Sequence, residues 1–230
     1  MHESSKTNKI RGEEFRSRYF LGRVIDIGCG PDIVVPQAIP FDEAQGDAQR
    51  MLDYFQAESF DCVHSSHCLE HMRDVNSTLQ QWWALVKPGG YLVIVVPDED
   101  LYEQGAWPSL FNADHKATFR LGKLKSWSPV SYDLEELIRG LPGSEIVDAC
   151  IQDDAINRRL IKNNITELGR IFFKLARQRR RAFRLLGRIG IPVNPLSLAF
   201  DRLENALGIP VDQTLGPALA QIQLIARKAG

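Results

Sequence analysis

The sequence predicts an α/β fold: a mostly parallel sheet with helices on both faces. Three observations carry this. Arg23-Val24-Ile25-Asp26-Ile27-Gly28-Cys29-Gly30 reads as a buried strand that runs straight into a glycine turn. Tyr91-Leu92-Val93-Ile94-Val95-Val96 is a continuous β-branched run, typical of a strand buried on both faces. Strand-like runs then alternate with helix-period segments, the pattern of a parallel sheet joined by crossover helices.

In chain order, Arg23–Ile27 is the first strand, Ile39-Pro40-Phe41 a candidate short second strand, and Phe60-Asp61-Cys62-Val63-His64 the next. Val75 to Val86 places Val75, Leu79, Trp82, Trp83 and Val86 at helical spacing, and Lys87-Pro88-Gly89-Gly90 stops that helix. Beyond Pro97 the segment to Ser131 is rich in aromatic, polar and loop-forming residues. Asp133–Leu141 reads as a short helix, and Ser144–Ile151 and Ala218–Arg227 as two late strands. Between those strands, Asn157–Gly190 holds eleven Lys/Arg and one acidic residue, Glu167; Gly190–Asp212 adds several prolines and a short helix. The expectation is one domain over residues 1–230, its last two strands separated by a basic helical insertion or lid at 157–212.

The length of 230 residues suits one α/β domain, and 44% hydrophobic with 25% charged residues is ordinary globular composition. A formal net charge of -1 gives no global reason to expect a nucleic-acid partner. The four cysteines form no CxxC pair, so neither a zinc site nor a redox dithiol is indicated. They read as reduced cytosolic thiols. Met1–Arg18 is polar and lacks the apolar core of a signal peptide, and the longest apolar run is too short to span a bilayer. A cytoplasmic location is expected.

An apolar strand followed by two glycines lets backbone approach a ligand, and in open α/β sheets ligands bind at the carboxyl ends of strands. A dinucleotide site would want G-x-G-x-x-G, but Gly28-Cys29-Gly30 is followed by Pro31-Asp32-Ile33. No G-x-x-x-x-G-K-[ST] is present either, which excludes a P-loop nucleotide site. Asp26-Ile27-Gly28-Cys29-Gly30 instead resembles the first motif of class I S-adenosylmethionine-dependent methyltransferases. Gly46-Asp47-Ala48 with Ser59-Phe60-Asp61, then Ser65-Ser66-His67-Cys68-Leu69-Glu70-His71, then Leu85-Val86-Lys87-Pro88-Gly89-Gly90-Tyr91-Leu92 follow in that family's order and spacing. The resemblance covers residues 20–98. It implies a Rossmann-like sheet and S-adenosylmethionine as cofactor.

By that resemblance, Gly28 and Gly30 flank the amino-acid tail of the cofactor with Cys29 between them. Asp42 takes the ribose hydroxyls, Asp47 and Ala48 meet the adenine edge, Ser65 offers backbone near the tail's ammonium, and Asp26 supports the glycine loop. The residues also admit plainer readings. Asp42 is favoured as the ribose ligand because it follows the strand-like stretch directly, yet Glu43 is a rival. Asp47 also suits a helix cap ahead of Ala48-Gln49-Arg50-Met51. Cys29 reads as a small filler in the turn and not a nucleophile. One departure stands out: Gly30 and Asp42 are twelve positions apart, with Pro31, Pro36 and Pro40 in or beside the gap. The helix customary there in the family is expected to be lost or reduced to a turn.

Methyl transfer to an alcohol gains from a general base. His71, after a strand whose carboxyl end faces the cofactor, and His115, after the fifth strand of the family pattern, are the candidate catalytic residues; His67 reads as structural. Tyr102, Glu103 and Trp107 share one loop and suit a sugar ring, or else pack that loop on the sheet. Asp114 is a candidate to orient another residue or bind substrate. No Asp/Asn-Pro-Pro-Tyr occurs, which argues against adenine methylation in DNA. Val96–Gly105 with Phe111–Phe119 resembles a subgroup associated with surface-polysaccharide biosynthesis, implying a sugar hydroxyl on a small-molecule or lipid-linked glycan acceptor. No metal-ligand set stands out.

In the insertion, Ile165, Leu168, Phe172, Leu175, Ala182 and Leu186 recur at helical spacing with one break at Arg179, while Arg170, Lys174, Arg177, Arg181 and Arg184 fall largely off that stripe. A packed lid, peripheral membrane contact through 157–190 and RNA contact are the readings, in that order; aromatic residues to stack on bases are few.

Overall fold

The computed structural model describes residues 3–162, 165, 167–188, 199–200, 202–203 and 207–230. Its elements in chain order are α1 (Glu3–Ile10), α2 (Glu13–Tyr19), β1 (Val24–Ile27), β2 (Ile39–Phe41), β3 (Phe60–Ser66), α3 (Val75–Leu85), β4 (Val86–Pro97), β5 (Thr118–Arg120), β6 (Ser131–Asp133), α4 (Leu134–Arg139), β7 (Ser144–Gln152), α5 (Glu167–Arg188) and β8 (Gln221–Lys228). The main sheet runs β2-β1-β3-β4-β8-β7. The first four of these strands are mutually parallel, and β8 lies antiparallel to both its neighbours. The mostly parallel sheet with helices is therefore present. Strand β4 is longer than expected, because Lys87–Gly90 is drawn into it where a turn was anticipated. The short β5 and β6 form a separate parallel pair.

Each face of the sheet has its own core. On one side Ile25, Ile27, Leu92, Ile94, Leu224 and Ala226 pack against Leu79, Trp82 and Trp83 of α3 and against Leu134 and Ile138 of α4. Asp74 caps α3 by accepting from the Ser77 N–H at 2.9 Å, and Asp133 caps α4. Trp82 has no exposed surface, and its indole N–H reaches the Ala48 carbonyl at 2.8 Å, so the ring packs without an orphaned donor. On the other side Val24, Cys62, Val93 and Ile225 pack against Tyr19 and Phe20 and against Val34, Val35 and Ala38. The polar N-terminal stretch is thus helical and covers that second face.

No helix joins β1 to β2; residues 28–38 are turns and bends. A buried polar layer holds this connection. Asp26, with no exposed surface, accepts from the Val34 N–H at 2.6 Å through one oxygen and from His64 Nδ1 at 2.6 Å through the other. Burial pushes the His64 imidazole below its usual range, so the ring is neutral and its Nε2 is left facing Arg11 Nη1 at 3.4 Å. Arg11 donates to Gln223 Oε1 at 2.7 and 2.9 Å; burial lowers its guanidinium to about 10, still charged at neutral pH. Helix α1 adds Asn8 Nδ2 donating to the Val34 carbonyl at 2.7 Å and Ser5 donating to Asp32 through both its N–H and its hydroxyl.

The basic segment forms α5 as far as Arg188. Its buried face is Phe173 and Ala176, packed with Leu110, Phe111 and Ile209. This corrects the expected stripe: Phe172 and Leu175 are exposed, as is Ile171. The side chains of Leu168, Arg177, Arg181, Arg184 and Leu186, residue Gly190, and most of the proline-containing 190–206 stretch lie outside the described residues. Among the described residues no helix is long and apolar enough to cross a membrane.

Replacing Asp26 by Ala strands the Val34 N–H and His64, and should cost about 2–3 kcal/mol in urea unfolding. The native His64 binds a proton less readily than the unfolded one, so its contribution is present above pH ~6.5 and lost as pH falls below it. His64→Gln should therefore show a shallower loss of stability than the parent below that pH.

Candidate cofactor and acceptor site

The carboxyl ends of β1 and β3 open into two joined cavities. One, of about 250 Å³, is lined by the glycine turn, Asp42, Tyr102, Asn112 and His115, with Glu3 and Ser4 of α1 closing it. The other, of about 660 Å³, is lined by Glu43, Gly46, Asp47, Ala48, Met72 and Asp114. Gly28, Asp42, His67 and His71 border both. The combined space is of ordinary ligand-site size.

Gly28 has φ +74° and Gly30 φ +53°. A Cβ on Gly28 would lie 2.5 Å from the Cβ and Sγ of Cys68, so only glycine fits there. At Gly30 the nearest atom to an added Cβ is Asp42 Oδ2, at 3.8 Å, which sets the Asp42 carboxylate across the gap from the turn. Backbone kept bare by need, with a carboxylate opposite, suits a cofactor carrying an amino-acid tail and ribose hydroxyls. Burial pushes the thiols of Cys29 and Cys68 up, leaving them neutral and poor nucleophiles.

Of the sequence-derived cofactor residues, Gly28, Cys29, Gly30, Asp42, Asp47 and Ala48 line the cavities. Asp47 also caps the short turn Ala48–Asp53, accepting from the Gln49 N–H at 2.9 Å, so one residue carries both readings. Asp26 and Ser65 lie beneath the wall. Asp26 braces the 28–38 connection as described, and Ser65 Oγ donates to the Ile27 carbonyl at 3.0 Å.

At the His71 side of the cavities, His71 and His115 meet edge-to-face with ring centroids 5.0 Å apart. Asp114 pairs with His71, Oδ2 to Nδ1 at 2.8 Å, and not with its neighbour His115. The partner of His115 is Glu103, Oε1 to Nδ1 at 2.6 Å, both residues buried. Glu103 therefore sits behind His115 and does not line the cavity. Tyr102 does, with its ring 5.3 Å from the His115 ring. Trp107 lines neither cavity; its carbonyl accepts from Arg170 of α5 at 3.0 Å.

Backbone contacts assemble this end from separate segments. Asp98 accepts from the N–H groups of Asp100 and Leu101 and starts the turn Glu99–Glu103, which presents Tyr102 and Glu103. The N–H groups of Lys116 and Ala117 both donate to the Glu70 carbonyl, at 2.7 and 3.2 Å, and Lys116 Nζ reaches the His71 carbonyl at 2.7 Å. His115 is thereby held beside Glu70 and His71.

Sequence reasoning missed Glu70, Asn112, Glu3 and Ser4, and took His67 as structural. His67 has φ +53° and borders both cavities. Its Nε2 donates to Gln221 Oε1 at 2.9 Å, because the Gln221 amide group is already spent on Thr7 and Gln152. Glu70 was legible as an acid beside a candidate histidine. The α1 residues carried no chemical signal, only a place in a helix whose packing the sequence does not announce.

Two substitutions separate the glycines. Gly28→Ala should abolish binding of S-adenosylhomocysteine in calorimetry, through the collision with Cys68. Gly30→Ala should retain binding, at a cost of about 1–2 kcal/mol for a left-handed non-glycine residue. Asp42→Ala should weaken binding about 10-fold, the equivalent of one charge-assisted hydrogen bond; a loss on Glu43→Ala in its place would move the ribose contact there.

A methyltransferase-domain family matches residues 8–129, just over half of the chain. Among solved structures, an S-adenosylmethionine-dependent methyltransferase from Archaeoglobus fulgidus is similar over 99% of this chain and 95% of its own, with 17% identity and a TM-score of 0.51. The YcgJ protein of Bacillus subtilis is similar over 90% and 91%, at 15% identity and a TM-score of 0.47. A methyltransferase from Thermotoga maritima is similar over 99% and 88%, at 15% and 0.46. Comparison with curated protein sequences gives no match. The polysaccharide-linked resemblance finds no counterpart in these matches. With the fold, the glycine cradle and the family match in agreement, the chain belongs to the methyltransferase-domain family.

Proposed function

We propose that this methyltransferase modifies a hydroxyl group, on a sugar or lipid-linked glycan. The observation that supports it is the pair of imidazoles at the acceptor end, each with Nδ1 held by a carboxylate. That pairing directs the Nδ1 proton at the carboxylate and leaves Nε2 to accept a proton. The cofactor supplies a sulfonium-bound methyl group, transferred in line as its electron pair stays on sulfur. Gly28, Cys29 and Gly30 hold the amino-acid tail with Ser65 and Asp26 bracing that turn, Asp42 the ribose, and Asp47 and Ala48 the adenine edge. His115 takes the acceptor proton and Glu103 steadies the imidazolium; His71 with Asp114 orients the acceptor. Tyr102 offers an aromatic face beside the polar groups a sugar needs, and Trp107 acts from behind the wall.

The reading extends to a cytoplasmic enzyme of polysaccharide biosynthesis that meets its acceptor at a membrane surface. Exposed Ile171, Phe172 and Leu175 on the basic helix α5 favour peripheral contact. Residues 157–212 would then act as a lid.

His115→Ala should lower kcat about 10²–10⁴-fold with S-adenosylhomocysteine affinity unchanged; equal loss of both would mean a structural role. Mass spectrometry of glycan acceptors incubated with enzyme and labelled cofactor tests the acceptor class. Label in RNA or in an amine, with none in any hydroxyl, would overturn it. Flotation with anionic liposomes, lost on Phe172→Glu, tests the membrane contact.

A further inference from the structure

We propose that Glu70, His71 and His115 bind a divalent transition-metal ion of the zinc type. One potential donor atom from each of the three lies within 4.8 Å of the others. Two imidazoles and one carboxylate, with a fourth position left for solvent or substrate, is a catalytic zinc donor set. Tetrahedral bonding would bring the donors to about 3.3 Å apart, a closure of at most about 1.5 Å.

The second observation is Glu70 itself. The residue is 1% exposed; beside the His67 contact at Oε1, its Oε2 has no hydrogen-bond partner. The nearest cationic candidate is His67, whose Nδ1 is 3.5 Å from Oε1 and serves one oxygen at best. A buried carboxylate oxygen without a partner is costly, and a dication at the three donors would satisfy it directly.

The surroundings match a metal site. Asp114 holds Nδ1 of His71 and Glu103 holds Nδ1 of His115, leaving Nε2 as the donor on each ring. Carboxylates in that position fix the tautomer and raise the basicity of metal-binding histidines. The backbone bonds from Lys116 and Ala117 to the Glu70 carbonyl bring the distant His115 to the other two ligands. His71 is partly exposed and borders both cavities, so the ion would face the bound acceptor.

The metal site stands on these residues alone, while its part in catalysis rests on the hydroxyl-acceptor reading. There the ion would lower the pKa of a coordinated hydroxyl, whose proton would pass to solvent water at the partly exposed His71 side in place of direct removal by His115. The acceptor oxygen would occupy the one position that tetrahedral binding leaves open.

The test titrates Zn²⁺ and Co²⁺ separately into the chelator-treated full chain, with neither cofactor nor acceptor present. The expected result is one ion per chain, with visible d–d absorption for Co²⁺. Glu103→Gln should weaken binding about 10–100-fold, and Glu70→Gln and His115→Ala by more, with circular dichroism unchanged. No ion bound at millimolar concentration, or affinity unchanged in both Glu70→Gln and His115→Ala, would overturn the proposal. Should those variants not fold, X-ray absorption of the wild-type zinc form decides: a shell with two imidazoles supports the site and one without imidazole overturns it. Failure of the hydroxyl-acceptor reading would show separately, as absence of methylated hydroxyl product with the ion stoichiometry intact.

Discussion

Asp26 sits at zero exposure in the middle of a sheet face, and each of its oxygens is committed. One holds the backbone of the proline-bearing connection at Val34; the other holds His64, which in turn faces Arg11. A connection with no internal helix has few hydrogen bonds of its own, so its shape has to be imposed from below. Asp26 imposes it from the strand, and Asn8 and Ser5 of α1 impose it from above. With that connection fixed, the left-handed Gly28 and Gly30 keep the cavity mouth open and Asp42 faces the turn. The glycine-turn end of the cavities depends on a carboxylate that does not line them.

The histidine end is built by a different device. Its histidines come from segments far apart in the chain, and the Glu70 carbonyl receives two N–H groups that dock the second segment on the first. The carboxylates of Asp114 and Glu103 then set the orientation of the rings. This arrangement buries the Glu70 side chain among His67, His71 and His115, with His67 Nδ1 3.5 Å from Oε1 and Oε2 left without a hydrogen-bond partner.

The parallel sheet and the glycine turn were legible because they are written locally. A β-branched run, two glycines and three prolines each constrain backbone at their own position. The loss of the helix after β1 was legible for the same reason. Pairings across the chain were not: nothing in the order Asp114-His115 says that the acid serves His71 and that Glu103 serves His115. The role of α1 was hidden because its residues are polar and its burial is created by the unusual connection beneath it. The apolar stripe of α5 was misassigned because exposed Phe172 and Leu175 share helical spacing with residues that pack, and periodicity alone does not say which face meets the protein.

The central claim is that one ligand site spans the glycine turn, the Asp42–Ala48 segment and the end of β3. Hydrogen exchange with and without saturating S-adenosylhomocysteine tests it most directly. The account predicts added protection concentrated in residues 27–34, 41–48 and 65–72, with the remainder of the sheet unchanged. Protection located elsewhere, or unaltered exchange in all three segments with the ligand bound, would contradict it.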